Sequence, residues 1–198
     1  MDTLYPSTRP ATRWKPHRCY PRRHIPADLS SWLLDPASLT LRLQQLCSGQ
    51  FRVRILSQAW ARPCPDEARV LGMDGSGRAI IRQVQLLCEQ RSWIYARTVI
   101  PAMSLRGRLQ RLAHLGTRPL GAMLFADPGM QRGVVELARI LPGQVLFDVA
   151  LSHSRQRPQE IWGRRSVFRL ADKPLLVSEV FLPGFPARRE RKPLWRTG

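Results

Sequence analysis

Hydrophobic residues in this chain alternate with polar ones over several stretches and fall on single stripes in others. In "QFRVRILSQAW", Phe51, Val53 and Ile55 alternate with Arg52 and Arg54, which predicts a strand. "RAIIRQVQLLC" and "SWIYARTVI" predict two more, joined as an antiparallel hairpin through Glu89, Gln90 and Arg91 and closed by Pro101. "ARVLGM" reads as a short strand before the turn "DGSG" at 74–77. "VFRL" and "LLVSEVFLP" predict a last hairpin that turns at "ADKP". Helical spacing appears at Leu29 to Leu34, where Pro36 breaks it, and again with Leu39, Leu43 and Leu46 on one stripe. "SLRGRLQRLAHLG" offers Ser104 as an N-cap, leucines at 105, 109, 112 and 115, and Gly116 as the stop. With no internal repeat and no alternation of strand and helix, the pattern is an α+β domain, an antiparallel sheet with helices gathered on one side.

Composition narrows this picture. A chain of 198 residues, 43% hydrophobic, can bury one core and is short for two ordinary domains. Residues 1–26 are rich in Pro and Arg without periodicity, so we expect an extended or disordered lead-in, one domain over 27–186, and a basic tail over 187–198. No apolar run reaches the roughly 18–20 residues that span a bilayer, and the start lacks the apolar stretch of a secretory signal. Cytoplasm is the expected compartment. The formal charge of +18 raises nucleic acid as a partner, but the excess is arginine, only Lys15, Lys173 and Lys192 being lysine, and part of it sits in the two ends. No RNA-binding motif, zinc finger or aromatic platform accompanies it, so no specific nucleic-acid partner is expected. Cys19, Cys47, Cys64 and Cys88 are far apart and the histidines stand at no metal-ligand spacing from them. Neither a metal site nor a disulfide is expected, and Cys88 reads as a buried small hydrophobe.

Charges on apolar strand faces change the picture most. Glu179 shares its side of "LLVSEVFLP" with Leu175, Val177 and Phe181; Arg82 shares its side with Ile80, Val84 and Leu86; Arg97 with Trp93, Tyr95 and Val99. A carboxylate so placed must find a partner, change its protonation state or meet a ligand. A structural ion pair of Glu179 with Arg82 or Arg97 leaves one guanidinium over; a closed pocket for an anion uses all three. Periodicity alone leaves both open. Arg164 and Arg165 in "WGRRS" read as solvated strand-edge arginines, and His114 as a helix-end histidine complementing the helix dipole.

Further strings carry a resemblance. "WLLDPASLT", "AIIRQVQLL", "ARTVIP", "RPLGAMLF", "WGRRSVFRL" and "KPLLVSEVFLP" occur in the order and with the approximate spacing of the chorismate lyase family, so that the chain resembles it from about Leu29 to Pro183. The resemblance implies a six-stranded antiparallel sheet whose helices and flaps close over an internal site. It also implies elimination of pyruvate from chorismate to give 4-hydroxybenzoate, the first committed step toward ubiquinone, by a monomer without metal or organic cofactor. By the same resemblance Arg82 binds the ring carboxylate, the Leu120 backbone N–H assists it, Glu179 meets the 4-hydroxyl and Leu39 lies near that hydroxyl. Arg97 matches a second family arginine, expected to receive the enolpyruvyl carboxylate. The lead-in, residues 140–160 and the basic tail depart from shorter members, residues 140–160 being expected to enlarge a loop ahead of "WGRRS". The rival expectation is a non-catalytic ligand-binding module like the sensor domain of GntR-type regulators, which shares this fold; residues 1–26 are too short and Pro-rich for the winged helix-turn-helix such regulators carry.

Overall fold

The alternating stretches assemble into one antiparallel sheet in the computed structural model, which describes residues 9–187. Its strands are β1 (Lys15–Pro16), β2 (Phe51–Ala61), β3 (Ala79–Cys88), β4 (Arg91–Pro101), β5 (Gln131–Arg132), β6 (Glu136–Ile140), β7 (Ile161–Leu170) and β8 (Lys173–Phe181). They lie in the order β1-β6-β7-β8-β4-β3-β2, with β5 added against β7. Among the described residues the sheet therefore has eight strands, not the expected six. Two of them, β1 and β5, are two residues long, too short to leave an alternation in the sequence. β7 and β8 turn through Ala171 and Asp172, both at positive φ, which lets a two-residue turn follow the twist of the strands.

Among the described residues five α-helices pack on this sheet: α1 (Ser30–Leu33), α2 (Leu39–Leu46), α3 (Pro65–Val70), α4 (Leu120–Phe125) and α5 (Val145–Ala150). α2 begins as its residues dictate, after Pro36, with the Ser38 hydroxyl accepting the Leu41 N–H and with Leu39 and Leu43 buried. Helices cover both faces rather than one. α1, α2, α4 and a 3-10 helix over Gly107–His114 bury their apolar sides against Val84, Leu86, Ala96 and Phe168. On the opposite face α5 packs against Tyr95, Val180 and Trp14, and the end of α3 against Val99 and Leu176. A strand sandwiched in this way is apolar on both sides, which is why β8 showed no solvent face.

Several local expectations are corrected. "ARVLGM" is not a strand: α3 runs into it, because Pro65 sits in the first turn, Asp66 and Glu67 complement the helix N-terminus, and the Glu67 carboxylate accepts the Cys64 N–H at 2.9 Å. The helix expected within 104–116 is a 3-10 helix over Gly107–His114, not an α-helix. Its buried leucines at 109, 112 and 115 repeat every three residues, the eclipsing period of a 3-10 helix, and Ser104 donates to the Pro174 carbonyl instead of capping. Residues 140–160 contain α5 as well as loop, and β6 precedes them. The described part of the lead-in, residues 9–26, is docked rather than loose: β1 pairs with β6, while Trp14 and Tyr20 pack against core clusters. The basic tail, from residue 188 on, lies outside the described residues.

The cysteines are also corrected. Cys47 and Cys88 form a disulfide, Cα to Cα 5.6 Å. Cys47 follows α2 directly, and β2 starts opposite Cys88 with Phe51, so the short link from α2 to β2 carries Cys47 past the end of β3. Forty-one residues of sequence separation hid this closeness.

Candidate active site

Register decides which charges meet. Ala96 lies opposite Glu179, Thr98 opposite Arg82, and Arg164 opposite Glu179. Opposed residues in an antiparallel sheet point to the same face, so Arg82, Thr98, Ala96, Glu179 and Arg164 share one. α2 and α4 close over this face, bringing Leu39, Thr40, Leu120 and Gly121 to a cavity of about 40 Å³ that Arg82, Arg132, Arg164 and Glu179 also line. The two helices approach so closely that a methyl group on Gly121 would stand 2.7 Å from Thr40 Oγ1.

Arg82 is 2% exposed, and its neighbours are neutral. Nη1 donates to Gln58 Oε1 at 2.8 Å and Nη2 to the Gly116 carbonyl at 2.7 Å. Burial without a carboxylate partner pushes its pKa below the usual guanidinium value. At the other side Glu179 Oε2 accepts from Arg164 Nε at 2.7 Å. Arg164 is held in turn by the Trp32 and Asp35 carbonyls, which accept from Nη1 at 2.8 and 2.7 Å. The Glu179 side chain keeps 17% exposure while its partner keeps 1%, so the pair is sealed on the arginine side and open on the carboxylate side. Arg132 approaches from β5. Its Nε donates to Ser166 Oγ, its Nη1 to the Asp35 and Pro36 carbonyls, and its guanidinium stands 5.3 Å from the Phe168 ring centre. Burial, and then the nearby Arg164, bring its pKa down to about 10 against the opposing pull of Glu179 and Asp35.

The structure thus gathers Arg82, Glu179, Leu39 and Leu120 around one cavity and leaves Arg97 out. Arg97 faces Gln83 and Ser178 across its neighbouring strands, on the opposite side of the sheet. There its Nε and Nη2 donate to the two Glu67 carboxylate oxygens at 2.7 and 2.9 Å. Burial would raise the Glu67 pKa, but the Arg97 bonds and charge, with the Cys64 N–H, hold it below the usual carboxylate value. This pair borders a second cavity of about 310 Å³, lined also by Trp14, Cys64, Leu146 and Ser178. Burial and the Glu67 charge push the Cys64 thiol up to about 12.

Arg164 and Arg132 escaped the sequence reading. "WGRRS" reads as an edge in the sequence, yet β7 lies between β6 and β8. Both its arginines are consequently buried, Arg164 toward the cavity and Arg165 toward the other face, where Asp66 and Glu136 accept from it. The alternation of "GRRS" already placed the two on opposite faces; only the strand's neighbours were missing. Arg132, on a two-residue strand, left no signal. His114 does not line the cavity.

Comparison with known proteins adds an independent line. A family model described as "Chorismate lyase" matches residues 20–190. A relative named "Probable chorismate pyruvate-lyase" from Methylococcus capsulatus is 41% identical over 155 residues, 78% of this chain and 94% of that protein. Another of the same name from Azoarcus is 42% identical over 167 residues, 82% of this chain and 88% of that protein. Among solved structures, PhnF from Mycobacterium smegmatis is similar with a TM-score of 0.57 at 14% identity, over 76% of this chain and 65% of that one. A GntR-family transcriptional regulator from Bacillus cereus is similar with a TM-score of 0.50 at 14% identity, over 68% of this chain and 93% of that one. At such identities the likeness to the solved structures is one of fold.

Proposed function

The chain belongs to the chorismate lyase family, and from that premise we propose that it eliminates pyruvate from chorismate to leave 4-hydroxybenzoate, a ubiquinone precursor, in the cavity between Arg82 and Glu179. The observation that carries this reading is that a guanidinium without a carboxylate partner and a carboxylate with one open side line the same cavity without pairing with each other. Such an arrangement suits a small aromatic acid bearing a para hydroxyl. The ring carboxylate meets Arg82, helped by the Leu120 N–H at the first position of α4, where helix geometry leaves amides without an internal acceptor. The 4-hydroxyl donates to Glu179 Oε1, since Oε2 is engaged by Arg164. Leu39 packs beside it.

In the reaction the C3–O bond breaks, the C4 proton leaves and the ring becomes aromatic; the departing enolpyruvate takes up a proton to become pyruvate. Aromatisation supplies driving force, so the protein chiefly holds one reactive conformer and keeps water away. Glu179, fixed by Arg164, orients the hydroxyl and stands next to C4 as the group to receive its proton. A cavity of about 40 Å³ is small for chorismate, so α2, α4 and the 3-10 helix must part to admit it and to release product. We further propose a cytoplasmic monomer; no helix among the described residues is long and apolar enough to cross a membrane.

The test is direct. Purified protein mixed with chorismate should yield equal amounts of 4-hydroxybenzoate and pyruvate. Glu179→Gln, which keeps a hydrogen-bond acceptor and loses the base, should lower kcat by about 10²-fold or more, within the range of general-base contributions. Tight binding of 4-hydroxybenzoate with no pyruvate formed would instead mark a ligand sensor. Near-normal turnover by Glu179→Gln would remove the base from the mechanism.

A further inference from the structure

The charges around the cavity do not balance. Among the described residues Arg82, Arg132 and Arg164 line it against one carboxylate, Glu179, which leaves an excess of two positive charges in the lining. Asp35 pairs its carboxylate with Arg42 at 2.8 Å, and although its charge reaches Arg132 the group it offers to Arg132 and Arg164 is its carbonyl. Arg164 is the guanidinium that Glu179 satisfies, and it is tied to two carbonyls besides. Arg82 and Arg132 have neutral acceptors alone. Nη2 of Arg132 makes no hydrogen bond among the described residues. Two half-satisfied cations in one buried site favour a ligand with two anionic groups.

Their positions distinguish the two groups. β3 and β5 lie on either side of β4, β8 and β7, so Arg82 and Arg132 flank Glu179 from opposite directions. In chorismate the ring carboxylate is para to the 4-hydroxyl, whereas the enolpyruvyl ether leaves C3, next to that hydroxyl. With the ring carboxylate on Arg82 and the hydroxyl on Glu179, the C3 substituent falls at the Glu179 end. Arg132 occupies that end beside Arg164 and Glu179, its charge coupled to both.

We infer that Arg132 is the second carboxylate receptor, holding the carboxylate of the enolpyruvyl group and stabilising it as pyruvate departs. This inference deepens the chorismate reading and rests on it for the identity of the ligand. Arg132 takes over the role that the family resemblance implied for Arg97, whose side chain lies on the opposite face of the sheet. Specificity follows as well: Arg82 and Glu179 recognise what substrate and product share, Arg132 what only the substrate carries.

Two probes separate these contributions, 4-hydroxybenzoate and 3-[(1-carboxyvinyl)oxy]benzoate, an aromatic dianion that keeps both carboxylates and cannot undergo the elimination. Dissociation constants for both are measured with the unmodified protein, Arg132→Met, Arg132→Lys and Arg82→Ala. Arg132→Met retains a stem over Phe168 and should weaken the dianion by about tenfold or more, as expected for a lost charged hydrogen bond, while 4-hydroxybenzoate changes by less than about threefold. Arg132→Lys should recover part of the loss, and Arg82→Ala should weaken both probes. Equal losses for both probes in Arg132→Met, or no loss for either, overturn the inference. Should the methionine variant not fold, the lysine variant carries the same comparison, since a loss for the dianion alone supports the inference and any other pattern contradicts it. Chorismate turnover by the unmodified protein is scored separately: its absence would refute the proposed reaction, while the ratio of the two affinities still decides whether Arg132 receives a second carboxylate.

Discussion

A buried glutamate–arginine pair on one face of the sheet and a half-open one on the other, Glu67 with Arg97 and Glu179 with Arg164, show how exposure separates structure from chemistry. Glu67 and Arg97 are both sealed and spend both carboxylate oxygens on each other, so the pair fixes α3 to β4 and has nothing left for a ligand. Glu179 is held through one oxygen only and faces the cavity. The sealed pair makes a pH prediction. The folded pKa of Glu67 lies below the ordinary carboxylate value of 4.5, so the pair's contribution is complete above about 4.5 and is lost as pH falls through the folded value. Glu67→Gln should therefore cost about 3–5 kcal/mol near neutral pH, the usual cost of breaking a buried pair, and progressively less in acid. Denaturant unfolding at pH 7 and pH 3 checks this; an equal loss at both would contradict it. At this scale the sequence was partly legible. Arg82 and Glu179 stood out because charges rarely sit on apolar strand faces, but the partner of Glu179 was misjudged. Alternation says that Arg97 is inward on some face and cannot say which face of the assembled sheet that is.

At the scale of elements, the cover over the cavity depends on how closely α2 and α4 approach. Gly121 permits that contact because it has no Cβ to meet Thr40 Oγ1. Alanine in a helix is ordinarily favoured over glycine by roughly 1 kcal/mol, so the sign of Gly121→Ala is informative. We expect it to loosen the cover and speed release of 4-hydroxybenzoate several-fold, with Thr40→Ala added in the same chain restoring slow release; stopped-flow displacement measures both. A stabilised variant with unchanged release would show that the two helices do not gate the cavity. Hairpins and α2 were readable because alternation, turn residues and a capping serine act within a few residues. The 3-10 helix resembles an α-helix in sequence because leucines at 105 and 109 fit a 3.6 period while those at 109, 112 and 115 fit a period of three. The helical start at Pro65 was overlooked because the apolar residues after it suited a strand equally well.

At the scale of the whole molecule, one sheet separates two cavities, and the reading places chemistry in the smaller. The larger, about 310 Å³, is bordered by ionic groups that already have ionic partners, Arg97 with Glu67, Asp66 with Arg165 and Arg9 with Asp148. Which residues face which cavity follows from strand order and register, which are contacts between segments distant in sequence, and so was the part least legible beforehand. The disulfide was hidden for the same reason. For protein kept oxidised, thiol titration should find exposed Cys19 fast and Cys64 slow, its raised pKa leaving little thiolate at neutral pH. Cys47 and Cys88 should appear only after reduction, with a fall in Tm of about 5–10 °C for a lost cross-link worth about 2–4 kcal/mol. Four fast thiols without reductant would contradict this arrangement. The central claim, that the smaller cavity grips a hydroxylated aromatic acid at both ends, is tested most directly by a crystal structure with 4-hydroxybenzoate bound. The account predicts its carboxylate within hydrogen-bond reach of the Arg82 guanidinium and its hydroxyl on Glu179, beneath α2 and α4. A ligand found beside Arg97 and Glu67, on the other face of the sheet, would contradict it.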